Sequence, residues 1–446
     1  MIEKRLQPLL LALPFLAGIA VLQGLTVEID TFHGSDARVY QLPTILQLSE
    51  RLDLSDYPSA QTPLYHLLTA WWGELVGFEA WKLRLLNVGF SYGMALALLR
   101  LLRRATPLES WQAFTLTLLF VLSPYVFGAS FTLLTDNLAM LFALLALERI
   151  HAYSRTGALP AFALACLAIA AALLTRQAFV WLVPVAAVLL LRRELFAARR
   201  SPSPGRLAAG AGLLGASLVP VGTLVLEWNG LVPPSADPAS CGLCDDRQGL
   251  AREALTLRTL GFTVAVAGAY GAVLFGPGLV RRVRRLRSSA SARAYMGMTG
   301  RARELRLRLI WAAGAGVLLL ATSPLLYKPI TPGQTGEAGY LWQFSDWFPE
   351  LFGSSLLFWV LVPLGCVVLY LLVARAGVLS LPAVYLACFL LATLPVRLVY
   401  QKYFDPFALL ALALLARPAD LRTRWDYAGV AVMGAGFVAY ALSFAG

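Results

Sequence analysis

Charged residues are scarce in this 446-residue chain: Asp, Glu, Lys and Arg make up 14% of it, against 59% hydrophobic residues. A soluble domain carries about 25% charged residues, so the composition excludes a soluble protein and indicates an integral membrane protein. No long polar stretch separates the apolar segments, and we therefore expect no separate soluble domain. No internal repeat is visible either.

Histidine and cysteine are also few, with three and five residues. Cys166, Cys366 and Cys388 lie in apolar segments, where cysteine behaves as a small buried apolar residue. The Cys241-Gly-Leu-Cys244 pair lacks the second ligand pair that a zinc site needs and the βαβ pattern of a thioredoxin-like motif. We favour a structural disulfide or two free thiols for this pair.

Apolar segments of roughly 20 residues predict membrane-spanning helices. In lipid, a helix satisfies the backbone hydrogen-bonding groups within the segment itself. The least distinct boundary is Arg176-Gln177, which interrupts the apolar run from Leu159 to Leu191. The first segment has no small-residue cleavage site, so we expect a retained anchor. The sequence thus predicts a single all-α polytopic domain over residues 1–446. We expect thirteen spans, at 8–26, 83–101, 110–127, 131–148, 158–175, 178–192, 207–226, 258–277, 309–326, 354–374, 378–396, 403–417 and 427–445.

The net charge of +12 follows membrane topology. With the N-terminus in the cytoplasm, most Lys and Arg fall in cytoplasmic connections, including a basic loop at 278–308, as the positive-inside rule requires. We therefore expect contacts with anionic membrane lipids and no nucleic acid. Most carboxylates then fall outside, above all in the first outer loop at 27–82.

That loop has its own helical order. Apolar spacing from Asp36 to Leu54 predicts an amphipathic helix on the membrane surface. A loop follows to Gln61, and Pro63 begins a second aromatic helix that we expect to continue through Trp81.

An acidic cluster opens the same loop, directly after the first span. It contains Glu28, Asp30, His33 and Asp36. Beside a long apolar body, such a cluster indicates chemistry on a lipid-borne substrate at the bilayer surface. Asp30, His33 and Asp36 could supply part of a divalent-metal site. However, the small number of histidines and the lack of ligand spacing argue against a structural ion.

In these residues the chain resembles the GT-C glycosyltransferases, and most of all the family of α-1,2-glucosyltransferases that use dolichyl-phosphate-glucose. The acidic motif of that family is similar to Asp30-Thr-Phe-His33, with Ala37 and Tyr40 downstream. Four other stretches resemble motifs of that family: Asp56-Tyr-Pro-Ser-Ala-Gln-Thr62-Pro-Leu-Tyr65, Arg176-Gln177-Ala-Phe-Val-Trp181, Trp228-Asn-Gly230 and Lys402-Tyr-Phe404. The chain departs from the family pattern at Ile29, at Ala178-Phe179 and at Ala338-Gly339-Tyr340.

The resemblance implies transfer of a hexose from a polyprenyl-phosphate sugar to a lipid-linked or other envelope acceptor, with no cofactor required. Such transfer needs a base for the acceptor hydroxyl and positive groups for the departing phosphate. Asp30 is the candidate base, with Glu28, Asp36 and His33 beside it. The candidate phosphate-binding residues are Arg176, Arg397 and Lys402; the candidates for positioning acceptor or donor are Gln177, Tyr57, Tyr65, His66 and Tyr400.

Ordinary structural roles are alternatives for some of these residues. Arg176 and Arg397 are also suited to phospholipid headgroups, and Asp136 to the N-terminus of a helix. A transporter or flippase for a lipid-linked or small solute is the rival function, although transporters commonly show two related halves. An abundance of Ala, Leu and Arg indicates a GC-rich bacterium, hence an inner membrane with the site facing the periplasm or exterior.

Overall fold

The computed structural model describes residues 4–23, 37–55, 57–196, 204–235, 256–294, 300–327, 339–396 and 399–442. Within these ranges it is predominantly helical, with 17 α-helices. The first ten are α1 (Gln7–Gln23), α2 (Leu42–Glu50), α3 (Leu64–Val76), α4 (Ala80–Ala105), α5 (Ser110–Leu122), α6 (Pro124–Ser130), α7 (Asp136–Thr156), α8 (Leu159–Thr175), α9 (Leu182–Phe196) and α10 (Pro204–Glu227). The others are α11 (Leu257–Ala294), α12 (Gly300–Thr322), α13 (Tyr340–Ser345), α14 (Leu356–Ala376), α15 (Leu381–Thr393), α16 (Asp405–Leu415) and α17 (Arg424–Leu442).

Five of the described helices contain a stretch long and apolar enough to cross a membrane, and a sixth crossing arises if the bent pair α5–α6, with 70° between its halves, counts as one span. The five stretches are Ala80–Ala105, Pro204–Glu227, Leu257–Gly278, Glu304–Thr322 and Leu356–Ala376. The chain is thus an all-α membrane protein. Each of the thirteen predicted segments contains a helix, but thirteen crossings stay a prediction.

Residue contacts divide the chain into two compact units. Unit 1 comprises Met1–Ala105, Ala113–Leu250 and Phe437–Gly446; unit 2 comprises Thr106–Gln112 and Ala251–Gly436. In unit 1, α7 packs against α4 and α8, and α8 packs against α10. In unit 2, α14 packs against α11 and α12. Gly268 of α11 and Gly365 of α14 lie where any side chain would collide with the facing backbone, so these glycines permit the close approach of the two helices.

The first outer loop follows its prediction only in part. A π-helical turn (Ala37–Gln41) leads into α2, and α3 begins directly after Pro63. However, α3 ends at Val76, because Gly77 adopts a φ of +100° that breaks the helix. The prediction that one helix continues through Trp81 is therefore wrong: Trp81 belongs to α4.

Two other segments differ from their predictions. Much of the expected basic loop at 278–308 is helical, since α11 continues to Ala294 and α12 begins at Gly300; arginine, alanine and leucine are good helix formers. A small hairpin, which the sequence did not predict, pairs β1 (Glu350–Leu351) with β2 (Ser354–Ser355) before α14. The break at Arg176 is confirmed, because α8 ends at Thr175 and Arg176 is extended.

Ion pairs between arginine and a buried carboxylate lie near the C-terminal ends of α7 and α14. In unit 1, buried Glu148 near the C-terminal end of α7 accepts hydrogen bonds from Arg100 and Arg104 of α4. In unit 2, Arg375 at the C-terminal end of α14 forms a two-pronged ion pair with Asp420 at 2.6 and 2.8 Å. The opposite end of α7 carries the candidate site, and the opposite end of α14 carries the hairpin.

Candidate functional site

The acidic cluster itself lies outside the described residues: Glu28, Asp30, His33 and Asp36 all fall in the interval between 23 and 37. Arg397 and Asp56 lie outside them as well. Ala37, which follows the acidic segment directly in the sequence, is buried in an apolar cluster that also contains Tyr57, Tyr65 and Trp228. The described part of the candidate site is built on this cluster, in unit 1.

A buried hydrogen-bonded chain joins Tyr57, His66 and Gln41. The Tyr57 hydroxyl lies 2.5 Å from His66 Nδ1, and Gln41 Oε1 lies 2.6 Å from His66 Nε2. A neutral imidazole fits both contacts, since Nδ1 accepts from the tyrosine and Nε2–H donates to the amide oxygen. Burial lowers the pKa of His66 to about 3, so the ring is neutral at physiological pH. His66 therefore links the loop before Pro63 to the turn before α2.

The loop before Pro63 also contacts the segment after α10. Tyr57 stacks on Trp228 with parallel rings 6.0 Å apart. Trp228 Nε1 donates to the Leu54 carbonyl at 2.8 Å, and Ser235 Oγ donates to the Tyr57 carbonyl at 2.7 Å. Residues almost 180 positions apart in sequence thus fix one another.

The break after α8 is another segment that contacts this loop. Gln177 Nε2 donates to the Ala60 carbonyl at 2.6 Å and to the Leu231 carbonyl at 3.3 Å. One turn earlier, the Leu173 carbonyl accepts a hydrogen bond from Thr62 at 2.6 Å. Gln177 therefore bridges the loop and the segment after α10.

Beside Gln177, Arg176 forms an ion pair with Asp136 in the first turn of α7. The arginine side chain is 14% exposed and the carboxylate 34%, so this pair is accessible whereas Tyr57, Tyr65 and His66 are buried. Thr135, the N-cap residue of α7, makes no side-chain capping hydrogen bond. The contact between Asp136 and Arg176 is one that the sequence did not predict.

Two buried polar atoms in this region have no hydrogen-bond partner among the described residues: the Tyr65 hydroxyl and Gln177 Oε1. Burial raises the pKa of Tyr65, and the nearby Asp136 carboxylate raises it further. The phenol is therefore a neutral donor. Because buried polar groups are normally paired, these two atoms mark places where a ligand, a water or residues outside the described ranges supply a partner.

Tyr400 and Lys402 belong to unit 2. The Tyr400 and Tyr403 rings lie 5.7 Å apart, and Lys402 Nζ lies 5.3 Å from the Tyr403 ring centre. Nearby, fully buried Asp405 at the start of α16 accepts hydrogen bonds from the hydroxyls of Tyr270 and Tyr340, the latter at 2.7 Å. Sequence reasoning missed Asp405; the only signal was an acid before proline at a helix start.

The structure brings together Tyr57, Tyr65, His66, Arg176 and Gln177. Sequence reasoning did not find the partners Gln41 and Asp136 in these contacts. Among the residues that the structure describes, no group of three or more His, Cys, Asp and Glu side chains is arranged to hold a metal ion. Comparison with protein-family models, with curated proteins and with solved structures gave no match for this chain.

Proposed function

We propose that this chain is a thirteen-span membrane glycosyltransferase of GT-C type. It moves a glucose-like hexose from a polyprenyl-phosphate donor to a lipid-linked glycan or another envelope acceptor, on the non-cytoplasmic face of a bacterial inner membrane. The proposed transfer requires no cofactor.

The observation that supports the proposal is the contact between three separated segments that the resemblance singles out. They are the loop before α3, the break after α8 and the turn after α10. Hydrogen bonds from Gln177 and Trp228 and the stacking of Tyr57 join them. Positioned by buried contacts, these segments suit a site that must be preorganised.

The sidedness of the proposal rests on the charges of unit 1. Asp136 and Tyr153 stand at opposite ends of α7, about 25 Å apart at 1.5 Å per residue. Tyr153 donates to Glu194 at 2.6 Å, close to Arg193 and Arg206. By the positive-inside rule this arginine-rich end faces the cytoplasm, so the Arg176–Asp136 end faces outward.

In the proposed transfer, the acceptor hydroxyl oxygen bonds to the anomeric carbon of the sugar while the bond from that carbon to the phosphate oxygen breaks. Asp30 takes the hydroxyl proton, and polyprenyl phosphate leaves. Arg176 stabilises the negative charge on the leaving phosphate. Tyr57 and His66, being buried, act by holding the loop, while Gln177 keeps that loop beside Arg176.

The test is incubation of purified protein in lipid nanodiscs with a panel of polyprenyl-phosphate sugars, scoring release of polyprenyl phosphate. Asp30→Asn removes the base and keeps the side-chain shape, so we expect release to fall by about 10²–10⁴ with the melting temperature unchanged. Near-normal release by a folded Asn variant would move the base to Glu28 or Asp36. No release by the wild type from any donor, together with movement of a lipid-linked sugar across vesicles, would favour the flippase alternative.

A further inference from the structure

A cluster of exposed aromatic side chains lies on the segment between α13 and α14. We call residues 344–355 the aromatic hairpin; it comprises the end of α13, a short connection and the β1–β2 pair. Trp347 is 80% exposed and Phe352 is 81% exposed, and Phe344 and Leu351 are also exposed. Large side chains of this kind seldom cluster on a water-facing surface without a partner.

The backbone at the tip of the hairpin adds an independent observation. Phe352 and Gly353 occupy the two central positions of the turn, with φ values of +49° and +74°. A two-residue hairpin with positive φ at both positions favours Asn-Gly or Gly-Gly, because a bulky side chain is strained in that region. Phe352 is therefore disfavoured by its own backbone and is largely exposed, apart from an edge contact with Trp359.

The hairpin is nevertheless firmly attached to the fold. Trp359 Nε1 donates to the Leu351 carbonyl at 2.7 Å, and Leu325 N donates to Ser354 Oγ at 2.8 Å. Ser355 Oγ donates to the Ser345 carbonyl at 2.7 Å. The base of the hairpin is thus fixed, whereas the aromatic tip is exposed in the part of the chain that the structure describes.

The position of the hairpin identifies its partner. Strand β2 runs directly into α14, whose 21 residues span about 31 Å at 1.5 Å per residue, close to the roughly 30 Å thickness of the hydrocarbon core. Leu356 therefore stands at one membrane surface if α14 spans, and Phe352, four residues away, is at most about 14 Å from it. Arg375 stands at the other end of the helix, the end that the positive-inside rule assigns to the cytoplasm.

We propose that the aromatic hairpin inserts into the lipid headgroup and upper acyl region on the non-cytoplasmic side of the membrane. Trp suits this depth, as does Phe on the apolar face of an interfacial segment, and residues 339–356 contain no Lys or Arg that would instead draw the segment to anionic headgroups. Lipid provides the environment that Trp347 and Phe352 do not find among the described residues. This inference does not depend on the glycosyltransferase proposal.

The test uses a single labelled cysteine. The five native cysteines are replaced by alanine, Phe352→Cys carries an environment-sensitive fluorophore, and the protein is reconstituted into phosphatidylcholine vesicles with or without doxyl-labelled lipid. Val360→Cys, on an exposed position of α14, is the membrane control, and Glu109→Cys, on an exposed connection, is the aqueous control. Size-exclusion profiles confirm that each labelled protein is folded, and Trp347→Cys serves as a second reporter.

We expect shallow doxyl lipid to quench the Phe352 label at least twofold, and aqueous iodide to quench it several-fold less than the Glu109 label. Iodide quenching equal to that at Glu109, without doxyl quenching, would overturn the inference by placing the tip in water. Protection from both quenchers would also overturn it, because protein would then cover the tip. Phe352→Asn, which tolerates the left-handed backbone, should leave the melting temperature in detergent unchanged or higher; a clear decrease would show that the phenyl ring supports the fold and would remove the argument from strain.

Discussion

Acidification should destabilise unit 1 through His66 in a way that one substitution can isolate. Burial lowers the pKa of His66 from its ordinary 6.5 to about 3. The folded protein therefore holds the ring neutral, while the unfolded chain protonates it near its ordinary pKa. The stabilisation is fully present above about pH 6.5 and is lost as the pH falls towards 3.

The magnitude follows from these two pKa values. At pH 5 the unfolded chain gains about RT ln(1 + 10^1.5), or roughly 2 kcal/mol, from protonating this histidine, whereas at pH 8 it gains almost nothing. One kcal/mol shifts the melting temperature of a 150–250-residue unit by about 2–4 °C. His66 alone should thus lower the melting temperature by about 4–8 °C between pH 8 and pH 5.

The assay is thermal unfolding in detergent, followed by intrinsic tryptophan fluorescence at both pH values. His66→Gln is the matched variant, because a glutamine can still pair with Tyr57 and Gln41 but does not titrate. Between pH 8 and pH 5, we expect the melting temperature of the wild type to fall by about 4–8 °C more than that of the variant. Equal shifts in the two proteins would show that His66 is hydrated or charged in the fold, and would refute the buried chain that joins Tyr57, His66 and Gln41.

Two further predictions concern the same unit and the sidedness of the membrane. Tyr57→Phe leaves His66 Nδ1 without its donor, which costs about 1–3 kcal/mol, so the melting temperature at pH 8 should fall by several degrees; an unchanged value would mean that the contact contributes nothing. In intact spheroplasts after mild reduction, an impermeant thiol reagent should label Cys241 or Cys244, while Ser289→Cys should react only after the membrane is opened; the reverse pattern would place the candidate site in the cytoplasm.

Helix positions are predictable here because their determinants are local. An apolar run of sufficient length must be helical in lipid, and the polar Arg176-Gln177 pair inside such a run marks a true break between α8 and the next helix. The basic stretch after residue 278 was misjudged for the opposite reason. A run of positive charge indicates a solvated loop, but arginine and alanine are also good helix formers, and the helix continues to Ala294.

The candidate site was predictable only as a set of residue types. Tyr57, His66, Arg176 and Gln177 are candidates because they lie in or beside the stretches that resemble the glycosyltransferase motifs. Their partners are set by tertiary packing: Gln41 reaches His66 across 25 positions and Asp136 reaches Arg176 across 40. No periodicity in the sequence encodes such pairs. The Phe352-Gly353 turn was missed because its backbone contradicts the local preference of phenylalanine.

Arg176 offers the most direct measurement of the central claim that the cluster in unit 1 is the place where phosphate departs. Release of polyprenyl phosphate is measured at several donor concentrations for the wild type, Arg176→Ala, Arg176→Lys and a control, Arg308→Ala. Arg308 also pairs with a carboxylate, Glu304, but on an exposed helix.

A charge-assisted contact to phosphate contributes roughly 1.5–3 kcal/mol, so Arg176→Ala should weaken donor use about ten- to a hundredfold with little change in acceptor use. Arg176→Lys should restore only part of the lost donor use, and Arg308→Ala should use the donor as well as the wild type does. Equal donor use by Arg176→Ala and Arg308→Ala would contradict the account, because the accessible cation of the cluster would then have no part in the transfer.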